Sequence, residues 1–188
     1  AVSVAVAAVH MGSATTVELL HGDCVEQMRS LLSCSVDCVV TDPPYGIGFA
    51  DHAWDQPGGG ERFASWTQAW AVECRRLLKP GGHLVLTTDN YRSLLSVLTE
   101  VAYRCSLGLV TYPVRRFYIP FNSCYLTRGD LLRMGSKAEL REVFFMGMDY
   151  PIEKIKLSPP ERVLLGALYG AGRLLRMNSQ FLMVLQCS

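Results

Sequence analysis

The chain lacks the cysteine and histidine spacings that mark metal sites. Its seven cysteines include no C-x-x-C pair, and its four histidines show no zinc-ligand spacing. An odd number of scattered cysteines is typical of reduced thiols in a cytosolic protein, several of them in the core. The sequence therefore predicts no metal site, no disulfide framework and a cytoplasmic location.

Long apolar runs and a basic leader are also missing. No run reaches the ~20 residues of a membrane-spanning helix, and the apolar first residues have none of the basic residues of a signal peptide. The chain begins without methionine, whereas Met11 directly precedes a typical start. We therefore expect no membrane association, and we interpret residues 1–16 as a disordered or non-native leader.

Charged residues are scarce, and their signs are unevenly distributed. Residues 1–100 contain 6 Lys and Arg against 11 Asp and Glu, a net charge of −5, whereas residues 101–188 contain 12 against 6, a net charge of +6. A basic half favours a partner that carries phosphates, such as a nucleic acid. Uneven surface charge without a functional role is an equally good interpretation.

Apolar periodicity predicts that strands and helices alternate along the first part of the chain. The predicted strands lie at 17–20, 36–41, 83–88 and 107–112. The predicted helices lie at 24–32, 61–78 and from a cap at Asp89 or Asn90 to about 102. Past residue 113 the pattern indicates only a strand near 143–146 and a helix over 159–175. This alternation predicts an α/β fold with a doubly wound sheet, which begins with a right-handed β-α-β unit.

The tetrapeptide Asp42-Pro43-Pro44-Tyr45 follows the predicted strand at 36–41. Two consecutive prolines cannot continue a strand, so the chain should form a stiff turn at the strand's carboxyl end, where ligands bind in open α/β sheets. There a carboxylate and a backbone carbonyl can accept both N–H groups of an exocyclic amine, while the tyrosine ring stacks on the base. A base in such a pocket has to leave the duplex. A strand-terminating turn without chemistry is the alternative for the tetrapeptide alone.

The residues around this turn resemble the β-group of DNA amino-methyltransferases. The similarity covers roughly residues 17–90 and includes, in order, LLHGDC, SVDCVVTDPPYGIG, the Trp54-Asp55 pair and RLLKPGGHLVL. Members of this family transfer a methyl group from S-adenosyl-L-methionine to adenine N6 or cytosine N4 in DNA. The resemblance therefore implies a Rossmann-like, S-adenosylmethionine-dependent methyltransferase fold and a prokaryotic or phage enzyme, with a restriction–modification partner or a homodimer as its assembly.

The resemblance also implies roles for individual residues. Asp42, Pro43, Pro44 and Tyr45 would hold the target base. The cofactor-binding residues would be Asp23, Cys24 and Lys154, the last in a segment similar to the family's H-P-x-x-K. An opening Asp favours adenine N6, while cytosine N4, or an amine in RNA or a protein glutamine, stays open. Asp23 can equally serve as the N-cap of the helix that follows it.

The second half of the chain departs from the family's pattern. No F-x-G-x-G-like cofactor turn is recognisable, because the glycines of Leu168–Gly172 lie in a predicted helix. We divide the chain into a leader (1–16), a catalytic core (17–112), a target-recognition region (113–149), and a partial cofactor-binding segment with an atypical tail (150–188), unrelated to the core from residue 173. An inactive nucleic-acid-binding remnant is therefore the alternative function.

Basic residues gather around the predicted target-recognition region. Those that could contact DNA phosphates are Arg104, Arg115, Arg116, Arg128, Arg133, Lys137 and Arg141. An ordinary solvated surface is the alternative interpretation.

Overall fold

The computed structural model of the chain describes residues 6–11, 15–43, 60–90, 92–109, 127–149 and 156–188. Its strands are β1 (Val6–Met11), β2 (Thr15–Leu20), β3 (Val36–Thr41), β4 (Leu78–Asp89), β5 (Leu140–Met148) and β6 (Gln180–Cys187). Its helices are α1 (Cys24–Ser30), α2 (Gly60–Leu77), α3 (Leu94–Cys105), α4 (Arg128–Lys137) and α5 (Pro159–Leu174). The chain thus has the predicted α/β class.

Four strands form the main sheet, in the order β3-β4-β6-β5. The strands β3 and β4 are parallel, whereas β6 is antiparallel to both of its neighbours. β5 therefore runs in the same direction as β3 and β4. Consequently the carboxyl ends of three strands meet at one edge of the sheet.

The last strand corrects the prediction of an unrelated tail from residue 173. β6 occupies an interior position of the sheet and pairs with β4 from His83↔Gln186 to Asp89↔Gln180. Its side chains alternate between buried and half-buried, as expected for a strand with both neighbours present. The tail is therefore part of the core of the fold.

The first strands correct two further predictions. The disorder predicted for residues 1–16 does not hold over Val6–Met11, where small apolar and β-branched residues pair with β2 in a separate antiparallel sheet. β2 and β3 flank α1 along the chain but lie in different sheets. The predicted β-α-β unit is therefore wrong in its pairing, because β2 hydrogen-bonds to β1 instead.

One face of the main sheet carries the hydrophobic core. Leu84 and Leu86 of β4 lie opposite Leu185 and Met183 of β6, and all four are at most 3% exposed. They belong to one buried cluster with residues of α1, α2 and α4. The opposite face, with Val85 and its neighbours at every second position, is only half-buried. The two faces of β4 thus differ in their access to solvent.

The segment Lys79-Pro80-Gly81-Gly82 ends α2 as predicted, although these residues already belong to β4. Gly81 has a φ of +77°, a region that favours glycine. At Gly82 an added Cβ would lie 3.1 Å from the carbonyl oxygen of Asp37. Gly81 therefore allows the local backbone conformation, and Gly82 allows β4 to approach β3 closely as it enters the sheet.

Helix α3 begins later than predicted. Its N-cap is Ser93, whose hydroxyl accepts the backbone N–H of Ser96. The predicted cap Asn90 instead accepts the N–H of Arg92 and donates to the carbonyl of Asn178, so it joins the loop after β4 to the loop before β6. Residues 107–109 of the predicted strand 107–112 are not a strand, and the rest of it lies outside the described residues.

Candidate functional site

The carboxyl ends of β3, β4 and β5 are each marked by an acidic residue. Asp42 follows β3, Asp89 ends β4 and Asp149 follows β5. Because the three strands run in the same direction, these residues lie at the same edge of the sheet. This is the edge at which open α/β sheets bind their ligands.

Asp42 is exposed and contacts the neighbouring strand. The hydroxyl of Thr87 in β4 donates to Oδ1 of Asp42 at 2.9 Å. The contact follows from the register, because Thr41 is paired with Leu86 and the next residues along both strands are Asp42 and Thr87. Thr87 was not among the predicted site residues, since its only signal was its position near the carboxyl end of the next predicted strand.

The remaining residues of the tetrapeptide are only partly described. Pro43 is half-buried directly after Asp42, in the position expected for a turn that leaves the strand. Pro44 and Tyr45 lie outside the described residues, as does Trp54. Stacking of a base on Tyr45 therefore stays a prediction.

Asp23 is the N-cap of α1. Its Oδ1 accepts the backbone N–H groups of Val25 at 3.0 Å and of Glu26 at 3.2 Å. This is the structural role predicted as the alternative for Asp23, and both hydrogen bonds end on the same carboxylate oxygen. These two hydrogen bonds fix the Asp23 side chain in place directly after β2 and the turn at residues 21–22.

The thiol of Cys24 faces the core. Its residue is 8% exposed, and burial, followed by the nearby Asp23 carboxylate, raises the pKa of the thiol. In the same cluster, burial raises the pKa of the Cys74 thiol to about 12. Within the chain's described part, six of the seven cysteines are free thiols. Cys24 can thus offer a ligand its backbone, but its side chain packs inside the protein.

The second half of the chain contains the third predicted cofactor residue, Lys154, and the glycines of Leu168–Gly172. Lys154 lies outside the described residues. The glycine spacing at Gly170 and Gly172 lies inside helix α5. At Gly172 an added Cβ would lie 3.0 Å from the carbonyl oxygen of Met177 and 3.7 Å from Cβ of Leu94, so this glycine allows α5 to pack closely. The spacing therefore reflects helix packing and not a cofactor turn.

Asp149 binds the segment that leads into β6. Its side chain is 5% exposed and accepts hydrogen bonds from Arg173, Asn178 and both the backbone and the hydroxyl of Ser179. Burial works to raise the pKa of this carboxyl, but the hydrogen bonds outweigh it and lower the pKa below its usual value. Sequence analysis missed this residue, for which a single Asp after a strand gives little signal.

Four of the seven basic residues predicted to contact phosphates have acidic or polar partners within the protein, and Lys137 is exposed. The structure pairs Arg104 with Glu100, Arg128 with Glu142, Arg133 with Asp130 and Arg141 with Gln186. Arg128 also lies 4.2 Å from the ring centroid of Phe145. Arg115 and Arg116 lie outside the described residues. These pairs favour the interpretation of an ordinary charged surface for α3, α4 and β5.

Membrane-spanning helices and clusters of metal-ligating side chains are both absent from the described residues. None of their helices is both long and apolar enough to cross a membrane. No group of three or more metal-ligating side chains occurs among them either.

The middle of the chain is similar in sequence to a known protein family. Residues 36–110, which include β3, Asp42-Pro43-Pro44-Tyr45, α2, β4 and α3, match the sequence model of a family described as DNA methylase. This segment is related to the DNA amino-methyltransferases.

Individual methyltransferases agree with this assignment. The chain is 30% identical over 80 residues to the type II methyltransferase M.HinfI of Haemophilus influenzae, a match that covers 35% of this chain and 22% of the relative. It is 32% identical over 73 residues to the type II methyltransferase M.BamHI of Bacillus amyloliquefaciens, covering 37% and 16%. The matched part thus spans about a fifth of these methyltransferases.

A crystal structure of a SAM-dependent methyltransferase from Archaeoglobus fulgidus is similar to the chain with a TM-score of 0.48 and 13% sequence identity. The similarity covers 89% of this chain and 66% of that protein.

Proposed function

We propose that this chain carries the base-binding part of an S-adenosylmethionine-dependent DNA amino-methyltransferase, with adenine N6 as its target. The observation that carries the proposal is the exposed Asp42 carboxylate at the carboxyl end of β3, inside the segment that matches the DNA methylase family. The two type II methyltransferases that match the chain support DNA as the substrate.

The amine chemistry rests on Asp42 and Pro43. The exocyclic amino nitrogen of adenine or cytosine is a poor nucleophile, because its lone pair is delocalised into the ring. Asp42 and the carbonyl of Pro43 would accept its two N–H groups, which makes the nitrogen more tetrahedral and frees the lone pair for attack. Tyr45 would stack on the flipped base and hold it in place. Asp42, Pro43, Pro44 and Tyr45 together form the proposed base pocket.

The choice of adenine over cytosine rests on the first residue of the tetrapeptide. Among related enzymes, an Asp at the first position of the tetrapeptide is more typical of those that methylate adenine. Adenine and cytosine nevertheless present the same kind of amino group to a carboxylate. The contacts at Asp42 suit either base. Analysis of the methylated nucleoside separates N6-methyladenine from N4-methylcytosine.

The cofactor would be S-adenosyl-L-methionine, which supplies an electrophilic methyl group when it is bound. Of the predicted cofactor residues, Asp23 fits best, because its carboxylate is held after β2 by two N–H groups and can accept a further donor from the cofactor's adenine or ribose. Cys24 fits only through its backbone, because its thiol is buried. Lys154 remains part of the proposal through its resemblance to the H-P-x-x-K segment.

The test is methyl transfer from labelled S-adenosylmethionine to unmethylated bacterial DNA, followed by nucleoside analysis. We expect labelled N6-methyladenine from the native chain and a loss of at least about a hundredfold for Asp42→Ala, since both the orientation and the amine contact are removed. Glu26→Gln, a charge change in α1 outside the proposed pocket, is the control and should retain activity. Equal activity of the native chain and Asp42→Ala would show that Asp42 does not hold the base.

A catalytically inactive nucleic-acid-binding protein is the second candidate. It is favoured by the helical structure of Leu168–Gly172, which leaves the chain's described part without the expected cofactor turn. Calorimetry with S-adenosylmethionine separates the two functions. Tight cofactor binding excludes the inactive protein, whereas DNA binding without cofactor binding supports it.

A further inference from the structure

The hydrogen bond between Thr87 and Asp42 joins the proposed base pocket to the neighbouring strand. We propose that Thr87 is a positioning residue, which orients the Asp42 carboxylate toward the amino group of the target base. This inference rests on the proposed function of Asp42. Its direct basis is the distance of 2.9 Å from the Thr87 hydroxyl to Oδ1 of Asp42.

The direction of this hydrogen bond is set by the chemistry of its two groups. An ionised carboxylate only accepts, so the Thr87 hydroxyl has to donate its proton to Asp42. Such a bond to a charged acceptor is stronger than one between neutral groups. Threonine is also β-branched, which restricts rotation about its χ1 angle. The Thr87 hydroxyl therefore restricts the orientation of the Asp42 carboxylate.

Asp42 and Thr87 differ in their place in the sheet. It is exposed and follows the last residue of β3, where the strand's hydrogen-bonded ladder ends. Thr87, in contrast, lies inside β4, where it is paired with Leu182 of β6. Two residues further along β4, Asp89 accepts a hydrogen bond from Gln180 at 3.0 Å. The hydroxyl thus connects an exposed carboxylate to a strand that is paired on both sides.

The same two strands offer a matched control at their other end. Lys79 of β4 donates to Asp37 of β3 at 2.8 and 3.0 Å. Lys79→Met removes this cross-strand contact far along the strands from Asp42. Comparing variants at Thr87 with Lys79→Met therefore distinguishes two effects. One is the orientation of Asp42, and the other is a general loss of contact between β4 and β3.

The test measures recognition of the amino group without methyl transfer. Dissociation constants are determined for short single-stranded oligodeoxyadenylate and for the same oligomer with purine, which lacks the amino group, in place of adenine. The matching pair is oligodeoxycytidylate and an oligomer of pyrimidin-2-one. The ratio of the two constants in each pair is the amino preference. Single strands remove the cost of base flipping from the comparison.

We expect an amino preference above one in the native chain and its loss in Asp42→Ala, which removes the acceptor oxygens. Thr87→Val, which keeps the shape but removes the donor, should lower the preference toward one, by up to about tenfold. Thr87→Ser should retain it, and Lys79→Met should leave it unchanged. Circular dichroism and thermal unfolding check that each variant folds. If Thr87→Val does not fold, Thr87→Ala takes its place.

The outcomes separate this inference from the proposed function. If Asp42→Ala loses the amino preference while Thr87→Val keeps it, Thr87 is not a positioning residue and the proposed function stands. If Thr87→Ser loses as much as Thr87→Val, or Lys79→Met loses as much as either, the hydroxyl is not what orients the carboxylate. A native chain without amino preference for either base overturns both proposals, and a preference that survives Asp42→Ala assigns recognition to another group and overturns the role of Thr87.

Discussion

Asp149, directly after β5, accepts the backbone N–H of Ser179, directly before β6, at 3.0 Å between nitrogen and Oδ1. Its other oxygen accepts from Arg173 of α5 and from Asn178. One buried carboxylate thus joins the end of an edge strand, the end of a helix and the entry to an interior strand. These contacts hold the second half of the chain against the edge where the candidate site lies.

Replacing this carboxylate should destabilise the fold. In Asp149→Ala the donors from Ser179 and Asn178 lose their acceptor inside the protein, which costs about 2 kcal/mol or more in the free energy of unfolding. Arg173→Ala is the matched control, since this arginine side chain is 66% exposed and its ion pair should contribute less than about 1 kcal/mol. Urea unfolding of both variants checks the prediction. Similar losses in both would show that the ion pair, and not the buried hydrogen bonds, stabilises this segment.

The same residue should make stability depend on pH in acid. The pKa of Asp149 is lowered in the folded state, so its stabilisation is fully present above its unfolded pKa of about 3.9 and is lost as the pH falls through the folded pKa. The difference in unfolding free energy between the native chain and Asp149→Asn should therefore be constant above about pH 5 and shrink below about pH 4. Because other carboxyl groups titrate in both proteins, the difference isolates Asp149. A difference that grows toward low pH would contradict the lowered pKa.

Because β6 lies in the interior of the sheet, substitutions of its buried residues should destabilise the fold. Met183 is fully buried, whereas its neighbour Val184 is half-buried on the other face of the strand. Met183→Ala should cost about 2–5 kcal/mol in unfolding free energy, because it leaves a cavity between β4 and the helices. Val184→Ala should cost clearly less. Denaturant unfolding measures both, and equal small effects would mean that β6 is not an integral strand.

Local signals in the sequence predicted the elements around the candidate site well. The strand at Val36–Thr41 has the predicted bounds, because a short apolar run bounded by turn residues has few other solutions. The end of α2 before Lys79-Pro80-Gly81-Gly82 was predicted equally well from local sequence. Helix α4 was missed although Thr127 and Asp130 form a capping box, a spacing that could have revealed it.

Pairings between distant residues could not be predicted. β6 is apolar at nearly every position, so neither its period nor its neighbours are visible in the sequence, and its partner His83 precedes Gln186 by about a hundred residues. The Asp42–Thr87 contact depends on the register of two strands, which the sequence of either strand does not contain. The residues of the proposed base pocket were therefore predicted from a motif, while the contact of Thr87 with Asp42 required the structure.

Substitutions at Asp23 can separate its role as the N-cap of α1 from its proposed role in binding the cofactor. Serine is as good an N-cap as aspartate, so Asp23→Ser should change the unfolding free energy by less than about 0.5 kcal/mol, whereas Asp23→Ala should cost about 0.5–2 kcal/mol. If the carboxylate also accepts a hydrogen bond from S-adenosylmethionine, both variants should bind the cofactor about tenfold more weakly in calorimetry. Glu26→Gln, in the first turn of the same helix, is the control for the general effect of negative charge. Native-like cofactor affinity in Asp23→Ser would assign this residue to helix capping alone.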